Sequence, residues 1–145
     1  MPTTLGQPFR LDWRGDPPHM LKPDVPVWWR FMDTWGHEII RVWYDCLLGG
    51  PFLTDIEESD PLKKGWRYVN SKRPDVLAET ETEVWVIEVS RYPGLRAIGQ
   101  CMTYTSLWIE DPKLEKPERG LLVCETLDTD LGSACARLGI LIYVV

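Results

Sequence analysis

Two carboxylates in this chain are spaced so that a β-hairpin would bring them face to face. The stretch Arg73–Ser90 reads R-P-D-V-L-A-E-T-E-T-E-V-W-V-I-E-V-S. Its arms, 75–78 and 84–90, flank Thr80-Glu81-Thr82-Glu83, and the second arm is rich in the β-branched and aromatic residues that strands prefer. A turn centred between Glu81 and Thr82 sets Asp75 opposite Glu88. Opposed residues on antiparallel strands project to one side with Cβ atoms roughly 4.5–5.5 Å apart, where like charges destabilise the sheet. A divalent cation between them removes that penalty. The plainer alternative is that Asp75 starts a strand after Pro74 while Glu88 sits where the sheet frays. A slip of one residue in register would send Glu88 to the other face.

Further groups stand close by in sequence. The break Tyr92-Pro93-Gly94 precedes a helix predicted over 95–109, on which Arg96, Gln100, Tyr104 and Trp108 follow at four-residue steps and share one stripe. That stripe either faces the acidic strand or, for Tyr104 and Trp108, simply belongs to the core. An earlier helix is predicted over 27–48, closed by Gly49-Gly50-Pro51, with Trp28, Phe31, Met32, Trp35, Ile39, Val42, Trp43 and Cys46 as its apolar stripe. Glu38 and Asp45 lie on the flank of that stripe. Glu38 matters to the chemistry only if the flank packs beside the hairpin.

The elements that must position these groups fit one domain of ordinary size. At 145 residues the chain has room for a single core. Six of its twelve prolines fall in residues 1–26, which read as an extended arm that drapes over the domain or reaches a partner; Phe9, Leu11 and Trp13 alternate as an edge strand could. Residues 27–145 form the domain. Residues 51–63 read as a polar, acidic connection and Gly65–Lys72 as a first strand leading into the hairpin. Residues 120–126 and 140–145 are near-continuous apolar strands, the pattern of strands covered on both faces, with a short helix over 128–138 between them. A helix crossing between two such strands predicts parallel pairing. The resulting order is α-β-β-β-α-β-α-β in an α/β fold.

Composition narrows the function classes. The net charge of −6 counts against a tight, non-specific nucleic-acid binder, although a local patch can still serve an enzyme acting on nucleic acid. Cys46, Cys101, Cys124 and Cys135 are scattered and the two histidines, His19 and His37, lie apart, so there is no zinc pattern and buried free thiols are expected. No apolar run is long enough for a membrane span and the first residues lack an apolar signal core, so a cytoplasmic location is expected. The eight tryptophans suggest bulky packing first and a stacking surface second.

With Pro74-Asp75, Glu88-Val89-Ser90 and Gln100…Tyr104 placed on it, this order resembles the PD-(D/E)xK superfamily, the restriction-endonuclease-like fold. The Gln-x-x-x-Tyr element is similar to the RecB-type branch. The resemblance covers about 27–145 and implies a three-layer α/β/α arrangement around a central mixed sheet. It implies that Asp75 and Glu88 are metal-binding carboxylates with the Val89 carbonyl as a further ligand, an all-oxygen set suited to magnesium or manganese. Glu38 would match the acidic residue some members supply from the first helix, and Gln100 and Tyr104 the stripe that orients the site. The chain departs from the pattern at Ser90, where the family's lysine should stand. Arg91 alternates to the other face, Lys72 lies on the wrong strand, and Arg96 could reach over the site as a cation that stabilises charge but cannot act as a base.

The activity implied is metal-dependent hydrolysis of a phosphodiester in nucleic acid, DNA before RNA, in a mobile element or repair system. The alternative is a relative that has lost cleavage at Ser90 and kept the scaffold, binding a protein partner through the arm and the Trp-rich surface. A second copy could pack on the two helices as a homodimer. A third reading treats the carboxylate pair as accidental in a structural α/β domain.

Overall fold

The computed structural model describes residues 2–145. In chain order its elements are β1 (Thr3–Thr4), α1 (Val25–Trp35), β2 (Arg41–Trp43), β3 (Leu47–Leu48), α2 (Asp55–Glu58), α3 (Pro61–Asn70), β4 (Val76–Glu79), β5 (Val84–Ser90), α4 (Leu95–Glu110), β6 (Glu118–Cys124), α5 (Thr129–Arg137) and β7 (Leu141–Val144). Single 3-10 turns occupy Lys22–Asp24 and Gly36–Glu38.

The fold is mixed α/β around a five-stranded sheet of order β2-β4-β5-β6-β7, while β1 and β3 form a separate two-stranded ribbon. The hairpin β4–β5 has the register that a turn centred between Glu81 and Thr82 requires, with Val76 opposite Ile87 and Leu77 opposite Val86. Strands β5, β6 and β7 run parallel, joined through α4 and α5. Alternation along the strands sends side chains to two faces. Val76, Ala78, Ile87, Val89, Leu121 and Val123 pack with Trp28 and Phe31 of α1. On the opposite face Leu77, Val84 and Val86 pack with Trp108, and Leu122 with Ile98 and Cys101, all three from α4. Helix α4 sits so close to β6 that a Cβ at Gly120 would lie 3.0 Å from both Cys101 Sγ and Thr105 Oγ1.

Four expectations need correction. The helix predicted over 27–48 starts at Val25, with Pro26 in its first turn where a missing N–H costs nothing, and stops at Trp35. Its second half instead supplies β2, which pairs with β4, and β3; the apolar steps at Ile39, Val42 and Trp43 suit a buried strand as well as a helix. The predicted strand Gly65–Lys72 is mostly α3, started by Asp60, whose Oδ1 accepts the Leu62 N–H at 3.0 Å, and by Pro61. Within 51–63 a capping box between Thr54 and Glu57 starts α2. Finally, β7 is an edge strand with Leu141 and Val144 exposed rather than covered on both faces.

The residues before α1 are tied to the domain. The Phe9 N–H donates to the Val42 carbonyl at 2.8 Å, and the Phe9 and Trp13 rings lie 5.0 and 5.4 Å from that of Tyr44. All four cysteines are free and buried. No helix among the described residues is long and apolar enough to cross a membrane.

Candidate functional site

Asp75 immediately precedes β4 and Glu88 lies near the end of β5. The register that faces them also ties each side chain to the backbone of the opposite arm. The Glu88 Oε2 accepts the Asp75 N–H at 3.0 Å, and the Asp75 Oδ2 accepts the Val89 N–H at 2.9 Å. Glu88 is 5% exposed and Asp75 is half-buried. Burial pushes the proton affinity of both carboxylates up. For Glu88 the Asp75 charge raises it further; for Asp75 the Val89 N–H holds it partly down. The pair therefore favours holding a proton between its carboxylates, since two like charges so close and so poorly solvated cannot both ionise cheaply.

Both residues open onto a cleft of about 420 Å³ whose walls also carry Val89, Ser90, Arg96, Gln100 and Tyr104. Arg96, Gln100 and Tyr104 of the α4 stripe thus share the cleft with the acidic strand. Its proximity is felt at Tyr104, whose phenol is raised above its ordinary value by burial and then by the Glu88 and Asp75 charges, so its O–H remains a donor. Trp108, one step further along α4, is fully buried in the core.

Glu38 does not join them. With α1 ending at Trp35, Glu38 falls in the following 3-10 turn and lines a different hollow, beside the hairpin turn Thr80–Glu83 and Trp85. The acid that the start of the first helix presents to the cleft is Asp24. It is buried, its Oδ1 accepts the Arg91 N–H at 3.0 Å, and its charge contributes to raising Asp75. Its local signal, an Asp after Pro23 at the mouth of an amphipathic helix, was obscured by the proline spacing that assigned it to the arm.

Two more lining residues come from outside the motif. His19 reaches the cleft from the N-terminal stretch and hydrogen-bonds through Nε2 to Asp45, with the Tyr68 hydroxyl 3.4 Å away. Arg73 lies with its guanidinium 5.0 Å from the centre of the Tyr68 ring. Ser90 brings no charge to the cleft, and Arg96 and Arg73 are the permanent cations on its walls.

Among the described residues no three His, Cys, Asp or Glu side chains converge as a ready-made metal site. The cleft offers two facing carboxylates, with Val89 on the same wall. An all-oxygen donor set of this kind fits a hard ion such as magnesium or manganese, which keeps several waters, and does not fit zinc. No family model matches the sequence, and no curated protein or solved structure matches it significantly.

Proposed function

We propose that this chain is a metal-dependent phosphodiesterase acting on nucleic acid, DNA before RNA, built on the three-layer α/β/α plan of the restriction-endonuclease-like fold. One observation carries the reading. Asp75 and Glu88 are held face to face on the wall of a cleft, in an environment that makes two adjacent negative charges costly. A shared proton relieves that cost in the metal-free protein, and a divalent cation would relieve it in its place.

Asp75 and Glu88 would hold magnesium or manganese, with the Val89 carbonyl as a further donor. When bound, such an ion supplies Lewis acidity toward a phosphoryl oxygen and acidifies water. Arg96 offsets charge that develops on the phosphate, and as a permanent cation it takes no part in proton transfer. Tyr104 donates its O–H into the cleft and Gln100 positions it. Asp24, one residue before α1, fixes the end of β5 through the Arg91 N–H.

Ser90 favours a second reading, in which the scaffold has lost cleavage and serves as a protein-binding or assembly module. Incubation with manganese and labelled single-stranded, double-stranded and branched DNA separates the two. Cleavage that disappears in both Asp75→Ala and Arg96→Ala supports the enzyme. Cleavage that survives Asp75→Ala rejects the site, and no cleavage of any substrate leaves the scaffold.

A further inference from the structure

Beside the carboxylate cleft lies a second, more open depression of about 370 Å³, lined by His19, Ser71, Lys72, Arg73 and Tyr104. His19, Arg73 and Tyr104 line both, so the two form one continuous surface. Their charge differs: the first sets carboxylates beside Arg73 and Arg96, and the second carries cations alone. Asp24, Asp75 and Glu88 face the first, whereas no carboxylate lines the second and Lys72 and Arg73 are permanent cations there. Neither Lys72 nor Arg73 forms an ion pair among the described residues.

The stretch of sequence that ends in this depression stands against the balance of the whole chain. Between Pro61 and Pro74 the sequence reads P-L-K-K-G-W-R-Y-V-N-S-K-R-P, five of the 16 Lys and Arg residues without one Asp or Glu, in a chain of net charge −6. The end of this run is also held in place. The Lys72 N–H and carbonyl both pair with Leu48 at 2.8 Å, Arg73 stacks on Tyr68, and Tyr68 and Asp45 orient His19.

An unpaired ammonium and guanidinium beside an oriented imidazole and a phenol suit a phosphate, the lysine as a point charge and the arginine as a two-pronged donor. A strand whose scissile phosphate sits at the carboxylate pair carries its next phosphate one nucleotide along. We propose that the depression lined by Lys72, Arg73 and His19 seats that neighbouring phosphate, so that the substrate is a nucleic-acid strand with at least two consecutive charged linkages. This inference rests on the phosphodiesterase reading above.

The test uses thymidine trinucleotides with manganese: one with both linkages charged, and two in which one or the other linkage is an uncharged methylphosphonate. Wild-type protein cleaves the fully charged trinucleotide roughly tenfold faster than the better of the two half-neutral ones, the size of one charge-assisted hydrogen bond. Lys72→Ala brings that ratio near one and Lys72→Arg restores it. A wild-type ratio near one, or an unchanged ratio in Lys72→Ala, overturns the proposal. Inhibition of trinucleotide cleavage by inorganic phosphate at the concentration of the strand itself marks a free-anion site and overturns it too. Wild-type protein that cleaves neither the trinucleotides nor longer single-stranded, double-stranded or branched DNA sinks the phosphodiesterase reading, and this inference with it. Where longer DNA is cleaved and the trinucleotides are not, fluorescence anisotropy with a labelled oligothymidylate decides the seat: equal affinity for wild type and Lys72→Ala rejects it and a roughly tenfold loss supports it.

Discussion

Replacing Glu88 with Gln tests whether the carboxylate pair shares a proton. Burial, reinforced by the Asp75 charge, raises Glu88, and burial raises Asp75. The unfolded chain releases both protons above about pH 4.5, while the folded pair retains one. The folded state thus binds more protons than the unfolded state. Stability is full below the ordinary carboxylate range and falls as pH rises toward the elevated folded values. One retained proton gives a slope of about 1.4 kcal/mol per pH unit, so metal-free wild type loses up to about 3 kcal/mol from about pH 5.5 to about pH 7.5. For a chain of this size that is a fall in Tm of about 10 °C. In Glu88→Gln the amide oxygen can accept the Asp75 N–H that Oε2 accepts at 3.0 Å, and the amide NH₂ can donate to Asp75 as the shared proton does. The variant should match wild type near pH 5.5, exceed it near pH 7.5 and show a flattened slope. Thermal unfolding followed by circular dichroism in chelator reads this directly. A wild-type Tm that is flat or rising over that window, or a Gln variant with the wild-type slope, refutes the shared proton.

Two other substitutions probe the packing that positions the site. Arg67 is the buried residue of α3, and its Nη2 has no hydrogen-bond partner among the described residues. Arg67→Met should raise stability by about 1 kcal/mol, because an unpaired buried cation costs more than a thioether in its place; calorimetry should register a higher Tm. Trp28 and Trp108 are both fully buried, but Trp28 Nε1 donates to the Tyr44 hydroxyl at 3.0 Å whereas Trp108 Nε1 has no partner. Trp28→Phe should therefore cost about 1 kcal/mol more than Trp108→Phe in urea unfolding.

How much of this was legible in advance depends on how local the signals are. The hairpin register, α4 and the β6–α5–β7 unit follow from a polar four-residue turn, the Pro93-Gly94 break and two apolar runs, each contained within a few residues. The region before residue 73 is different. Ile39, Val42 and Trp43 satisfy helical and strand spacing alike, and only pairing with β4 decides between them. Helix α3 inverts the usual pattern, burying Arg67 while leaving Leu62, Trp66 and Val69 exposed, so its apolar residues mark no core-facing side. At the site, the residues of the hairpin and α4 were accessible because register and four-residue steps fix their direction. Asp24 and His19 arrive by long-range packing of the N-terminal stretch, which no short-range spacing encodes. Glu38 stands away from the site because α1 ends at Trp35 and the chain goes on into the first strand of the sheet, a change of element that apolar spacing alone does not mark.

The claim that Asp75 and Glu88 exist to hold a divalent cation is tested most directly by titrating manganese into chelator-treated protein near pH 7. Calorimetry in two buffers of different ionisation enthalpy would count ions bound and protons released together. One ion per chain should bind, with release of about one proton as the metal displaces the one the pair shares, and that binding should be lost in Asp75→Ala. No binding at millimolar manganese, or binding that persists unchanged in Asp75→Ala, would contradict the claim.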